Sequence, residues 1–102
     1  MIDKKVLFIT GAAIGIGHAA CLKFASEGYA IAFNDYNVEN GNKALEELKD
    51  KGYEAIFLPG DATKEEEVKA MVAKTVDTYG RIDTLINNQG CVGGRYYFEG
   101  ME

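Results

Sequence analysis

A chain of 102 residues is the length of one small domain, and its 47% hydrophobic and 26% charged residues are ordinary for a globular protein, which excludes a disordered or fibrous chain. The formal net charge of -5, with basic residues scattered, excludes nucleic acid and anionic membrane as partners, because both need clustered Lys and Arg. The apolar stretch after Lys4 and Lys5 is broken by Gly11, Gly15, Gly17 and His18, so it is not read as a secretory leader, and a cytoplasmic location is expected. Cys21 and Cys91 lack the close spacing of a dithiol or zinc motif and are read as buried or neutral thiols; with one histidine, no metal site is expected.

Val6 to Thr10 is an uninterrupted apolar run with β-branched members, short enough for a strand buried on both faces. A glycine-rich turn follows, and Ile16 to Glu27 then places Ile16, Ala19, Ala20, Leu22 and Phe24 largely along one side at helical spacing, stopped by Gly28. Tyr29 to Asn34 is the next strand, ending in Asn34-Asp35-Tyr36-Asn37, where Asn37 is placed to cap the second helix. That helix, closing at Gly52, groups Val38, Gly41, Ala44, Leu45 and Leu48 on one face, and Gly41 is expected to weaken it.

Glu54 to Leu58 reads as a third strand, ended by Pro59-Gly60, with Asp61 just beyond. Thr63 and Glu66 form the pattern of a capping box ahead of a third helix that runs to Gly80, with Val68, Met71, Val72, Thr75, Val76 and Tyr79 at helical intervals. Thr84 to Asn87 is the fourth strand, and beyond Gly90 no periodicity remains, so residues 91–102, including Tyr96, Tyr97 and Phe98, are read as a loop. Alternation of strands and helices predicts an α/β, Rossmann-type doubly wound parallel sheet of about four strands, order 3-2-1-4, with three helices over residues 1–90. The reversal of direction opens a crevice between strands one and four at their carboxyl ends, where such sheets bind ligands. Strand four, as the last, leaves an open edge, which admits pairing with a second copy as a homo-oligomer.

The strongest signal is Thr10-Gly11-Ala12-Ala13-Ile14-Gly15-Ile16-Gly17, with glycines spaced G-x-x-x-G-x-G between a buried strand and a helix. Gly11 permits a tight turn, Gly15 lets the backbone approach a pyrophosphate, Gly17 allows close helix packing, and free N–H groups at the helix start hold phosphates. The plainer reading is a strand–helix turn that merely tolerates glycine. His18 is read as a surface residue.

Asp35, 18 residues beyond Gly17, stands where a dinucleotide site places a carboxylate for the adenosine ribose, with Tyr36 beside it. A 2′-phosphate there would meet like charge, at a cost of several kcal/mol for a separation of about 4 Å. No Arg or Lys occurs among residues 12 to 14 or 34 to 38, so NAD is expected over NADP. The alternative is a turn residue bonding its own backbone. Asp61 can accept from an adenine amino group while Ala62 offers a backbone N–H, or it can serve as a helix cap in competition with Thr63. Asn87, Asn88 and Gly90 end the fourth strand on the nicotinamide side of the crevice, where asparagines also commonly bridge strand ends.

Thr10-Gly11 through Gly17, Asp35, Asp61 and Asn87-Asn88-Gln89-Gly90, in this order, resemble the short-chain dehydrogenase/reductase family over residues 5 to 90. Similar sequences include 3-oxoacyl carrier-protein reductases and sugar or diol dehydrogenases. The resemblance implies reversible hydride transfer between an alcohol or ketone and NAD or NADP. It implies that Gly11, Ile14, Gly15 and Ile16 line the pyrophosphate, Asp35 the ribose, Asp61 and Ala62 the adenine, and Asn87 and Gly90 the nicotinamide. Gln89 stands where the family usually has Ala.

A larger departure concerns catalysis. The family uses a Ser and a Tyr with a Lys four residues on, whereas Ser26 is the only serine here and none of Tyr29, Tyr36, Tyr53, Tyr79, Tyr96 or Tyr97 has such a lysine. The resemblance therefore implies a dinucleotide-binding half that ends before the catalytic segment and is silent alone for want of a general acid. The other reading is a non-catalytic nucleotide-binding or regulatory module.

Overall fold

The computed structural model describes residues 2–88 and 96–99. Four strands, β1 (Val6–Thr10), β2 (Ala30–Asp35), β3 (Ala55–Pro59) and β4 (Thr84–Asn87), alternate with three helices, α1 (Gly15–Ser26), α2 (Val38–Asp50) and α3 (Glu65–Tyr79). The four strands are parallel and lie in the order 3-2-1-4, as the alternation predicts. A fifth strand, β5 (Tyr96–Glu99), runs antiparallel to β4, with Asn87 opposite Tyr96 and Thr84 opposite Glu99. This corrects the expectation of a loop there and of an open edge at strand four. Three consecutive aromatic residues of high β propensity followed by a glutamate give no periodicity to recognise, yet pair readily with an available edge.

Alternation along β1 sorts the core. Leu7 and Ile9 join Cys21 and Ala25 of α1 and Ala44 and Leu48 of α2 in one cluster, while Val6 and Phe8 meet Met71 and Tyr79 of α3 in another. Helices thus cover both faces, which is why β1 is buried at every position. Phe8 and Phe33 are fully buried, each contributing about 1.5–3 kcal/mol of transfer free energy.

The helical faces differ in detail from those the sequence suggests. In α1 the buried stripe is Gly17, Cys21 and Ala25, spaced by four, whereas Ile16 is 64% exposed. Small residues let this helix approach the sheet closely. In α2, Gly41, Ala44 and Leu48 are buried but Val38 is 53% exposed. Burial pushes the Cys21 thiol up to about 12, so it stays protonated and inert, as expected of a core cysteine; Cys91 lies outside the described residues.

Asn37 caps α2, its side-chain oxygen accepting from Asn40 N–H at 2.9 Å. The capping box expected ahead of α3 is not formed. The helix starts after Lys64, and the Thr63 hydroxyl and N–H both donate to Asp61 Oδ1, at 2.6 and 2.9 Å. A carboxylate two residues upstream outcompetes a distant helix amide for that hydroxyl. Glu67, rather than Glu66, turns back, accepting from Asp61 N–H at 2.8 Å.

At the amino-terminal rim of the sheet, Asp83 accepts from Val6 N–H at 2.8 Å and takes a two-pronged bond from Arg81 at 2.6 and 2.8 Å. The Arg81 hydrogen bonds, joined by the Val6 N–H, hold this carboxyl below its usual range against the opposing effect of burial. A carboxyl depressed in the folded state contributes stability above its unfolded pKa of about 3.9, and that contribution is lost as pH falls through the lower, folded value. Urea midpoints are therefore expected to fall on acidification below about pH 4, and less steeply in Asp83→Asn. Equal acid sensitivity in the variant would show that other carboxyls carry the effect.

Candidate functional site

The carboxyl ends of β1 and β4 meet at the point where the chain reverses direction across the sheet, with Thr10 paired to Asn87. The turn between β1 and α1 is shaped by two glycines of positive φ, Gly11 at 62° and Gly15 at 66°, a region that side-chain-bearing residues avoid. Gly17 serves another purpose. A β-carbon there would stand 2.5 Å from Gly11 O and 2.8 Å from Ala12 Cα, so the helix starts against its own incoming turn. At Gly15 a β-carbon would meet nothing within 4 Å, so that face of the turn is open. The turn needs its glycines and does not merely tolerate them.

Ile14 precedes α1 in extended conformation with no side-chain cap, and no acidic residue lies in the first turn. The first helix bond is His18 N–H to Ile14 O at 3.4 Å, so the amides at the start of the helix have no acceptor within it. The two isoleucines flanking Gly15 are each 64% exposed, and Tyr36 and Val38, just after β2, are 70% and 53% exposed. All four exposed large hydrophobics among the described residues thus ring this one rim. That is an apolar frame around unpaired amides.

Asp35 ends β2 half-buried, and its carboxylate joins two turns: Oδ2 accepts from Ala13 N–H at 3.0 Å and Oδ1 from Asn37 N–H at 2.9 Å. The local bond considered for a turn residue is thus present, together with a second, long-range one. Each oxygen keeps a further lone pair. Asp61 is likewise committed on one side, its carboxyl held below the usual range by the Thr63 hydroxyl and amide, while Oδ2 has no bond from a described residue.

At the β4 end, Thr10 Oγ1 lies 3.0 Å from Asn87 Oδ1 and accepts from Asn88 N–H at 3.0 Å, while Asn88 Nδ2 donates to Gly11 O at 3.1 Å. Asn87 and Asn88 therefore bridge strand ends and fix the floor of the crevice. Ala62 sits half-buried beside Asp61. Gly90 and Gln89 lie outside the described residues. Sequence reasoning missed Asn34, which is fully buried and bonded to both neighbouring turns; its polar type inside an apolar strand was the signal. His18 is half-buried rather than at the surface, with Nε2 3.1 Å from Glu47 Oε1.

The family model of the short chain dehydrogenases matches residues 5–100. The chain belongs to this family. It is 47% identical over 88 residues to an uncharacterized oxidoreductase of Thermotoga maritima, a match covering 86% of this chain and 34% of that protein. It superimposes on the L-sorbose reductase of Gluconobacter frateurii, complexed with NADPH and L-sorbose, with a TM-score of 0.82 and 35% identity, covering 88% of this chain and 35% of that one. For NAD+-bound xylitol dehydrogenase the TM-score is 0.76 at 43% identity, covering 79% of this chain and 31% of the other. The chain spans 34% to 39% of the length of five curated relatives that it matches and 13% of the length of a sixth. The fold is that of this short chain dehydrogenase family, as the resemblance implies. Among the described residues no helix is long and apolar enough to cross a membrane, and no group of side chains is arranged to hold a metal.

Proposed function

We propose that this short chain dehydrogenase segment binds NAD and is the cofactor-binding part of an oxidoreductase that interconverts alcohols and ketones. One observation carries the reading: the uncapped start of α1 presents its amides beside Gly15, where open space stands in place of a side chain. In this reading Gly11, Ala13, Ile14, Gly15, Ile16 and Gly17 form the diphosphate cradle. Asp35 takes the adenosine ribose, with Tyr36 flanking it. Asp61 Oδ2 and the Ala62 N–H face the adenine. Asn87, Asn88 and Gly90 support the nicotinamide side. When bound, the nicotinamide supplies or accepts a hydride; the chain's own residues bind and orient it.

Preference for NAD rests on Asp35. A 2′-phosphate beside this carboxylate would be repelled, and the hollow next to Ala13 and Ile14 adds little compensation, because Lys43 there is accompanied by Glu47. Asp35→Ala is expected to narrow the NAD-over-NADP affinity ratio by about tenfold in isothermal titration, the equivalent of 1.4 kcal/mol. An unchanged ratio would remove Asp35 from the ribose site. No binding of NAD to the folded parent chain would remove the reading as a whole.

A further inference from the structure

Asn34 is 0% exposed and lies one residue before Asp35, near the end of β2. Its amide faces two directions at once. The side-chain oxygen accepts from Gly11 N–H at 3.3 Å and the backbone carbonyl accepts from Ala12 N–H at 2.9 Å, both in the glycine turn. On the other side Nδ2 donates to Leu58 O at 2.9 Å and to Gly60 O at 3.0 Å, where β3 turns toward α3. This orientation is dictated by its partners: reversing the amide would set its oxygen against two carbonyls and its nitrogen against an N–H. One acceptor and two donors on a short side chain are what this gap requires.

We propose that Asn34 is a positioning residue that holds the glycine turn and the β3–α3 turn at a fixed separation, so that a ligand spanning both finds them already in place. The inference rests on the dinucleotide reading above, in which the first turn takes the diphosphate and the second, through Asp61, the adenine. Each turn alone is a loop whose backbone can shift. Coupling them through one buried amide removes that freedom before the ligand arrives, and preorganisation of this kind raises affinity without a new contact. Asn34 touches no ligand itself. A carboxylate in its place would keep the bond to Gly11 N–H but oppose both carbonyls, and an aliphatic side chain would leave all three groups without their partner.

The test is isothermal titration of NAD into folded chains carrying Asn34→Ala, Asn34→Asp or Ile31→Val, the last a mild core truncation at the opposite end of the same strand. Both Asn34 variants are expected to bind NAD at least about tenfold more weakly near pH 8, while Ile31→Val stays within about twofold of the parent. Asn34→Asp is also expected to recover part of its affinity near pH 5, because burial raises the pKa of a carboxyl, so that on acidification it takes up a proton and donates toward Leu58 or Gly60; the parent should show no such gain. This second arm decides the matter should Asn34→Ala fail to fold. An Asn34→Asp chain that matches the parent at pH 8, or whose weakened affinity is the same at both pH values, overturns the proposal. Failure of the parent to bind NAD would instead remove the dinucleotide reading and this inference with it.

Discussion

Gly17→Ala is expected to abolish detectable NAD binding and to cost about 1–3 kcal/mol of stability, measured by titration and by urea unfolding of the same preparation. The added methyl would meet Gly11 O at 2.5 Å and Ala12 Cα at 2.8 Å, both backbone atoms, with Asn88 Nδ2 at 3.0 Å on a third side. The two nearest are fixed backbone and Asn88 Nδ2 is itself tied to Gly11 O at 3.1 Å, so the main relief must come from moving α1 away from the turn. That movement displaces the amides proposed to hold the diphosphate. Binding should therefore suffer more than folding does, and a variant that binds like the parent would show that the first turn of α1 is not the cradle.

Gly41→Ala presents a conflict between local and tertiary effects, and the structure decides its sign. Helix propensity alone predicts a gain of about 1 kcal/mol, since glycine is the poorest ordinary residue in a helix interior. The Phe57 ring, however, lies across Gly41, and a β-carbon there would fall 2.0 Å from its Cζ and 2.2 Å from Cε1. Phe57 is stacked on Phe33 with ring centroids 5.3 Å apart. To admit the methyl, this half-buried ring must leave the stack and part of its burial, a loss of about 2–4 kcal/mol. Net destabilisation of about 1–3 kcal/mol is expected in urea unfolding; a more stable variant would show that the ring swings out at little cost.

That conflict also shows what one sequence can disclose. Strands β1 to β4 and the three helices were legible because their apolar periods are local and their ends carry glycine, Pro59 or Asn37. The order 3-2-1-4 followed from chirality and short connections. Features set by two distant segments were hidden. Gly41 looked like a weakness because Phe57, which occupies the space it leaves, comes from a different element, β3. Ile16 and Val38 had the spacing of core residues, but both lie in the first turn of their helices and are exposed. The capping box at Thr63 was lost to Asp61, a competition between two plausible motifs that composition does not settle. In the site, Gly11, Gly15 and Asp35 could be picked out by spacing, whereas Asn34 acts through four bonds to two other segments.

The clamp at the other rim has a mechanical meaning. β1 has a neighbour on either hand, Asp83 grips its first amide, and the Thr10 hydroxyl ties its last residue to the end of β4. Such a strand cannot fray from either tip or peel away sideways without parting two ladders together. The glycine turn is strung from a strand held at both tips and on both sides, so movement at the mouth comes more readily from α1 or from the turns after β2 and β3 than from β1 itself.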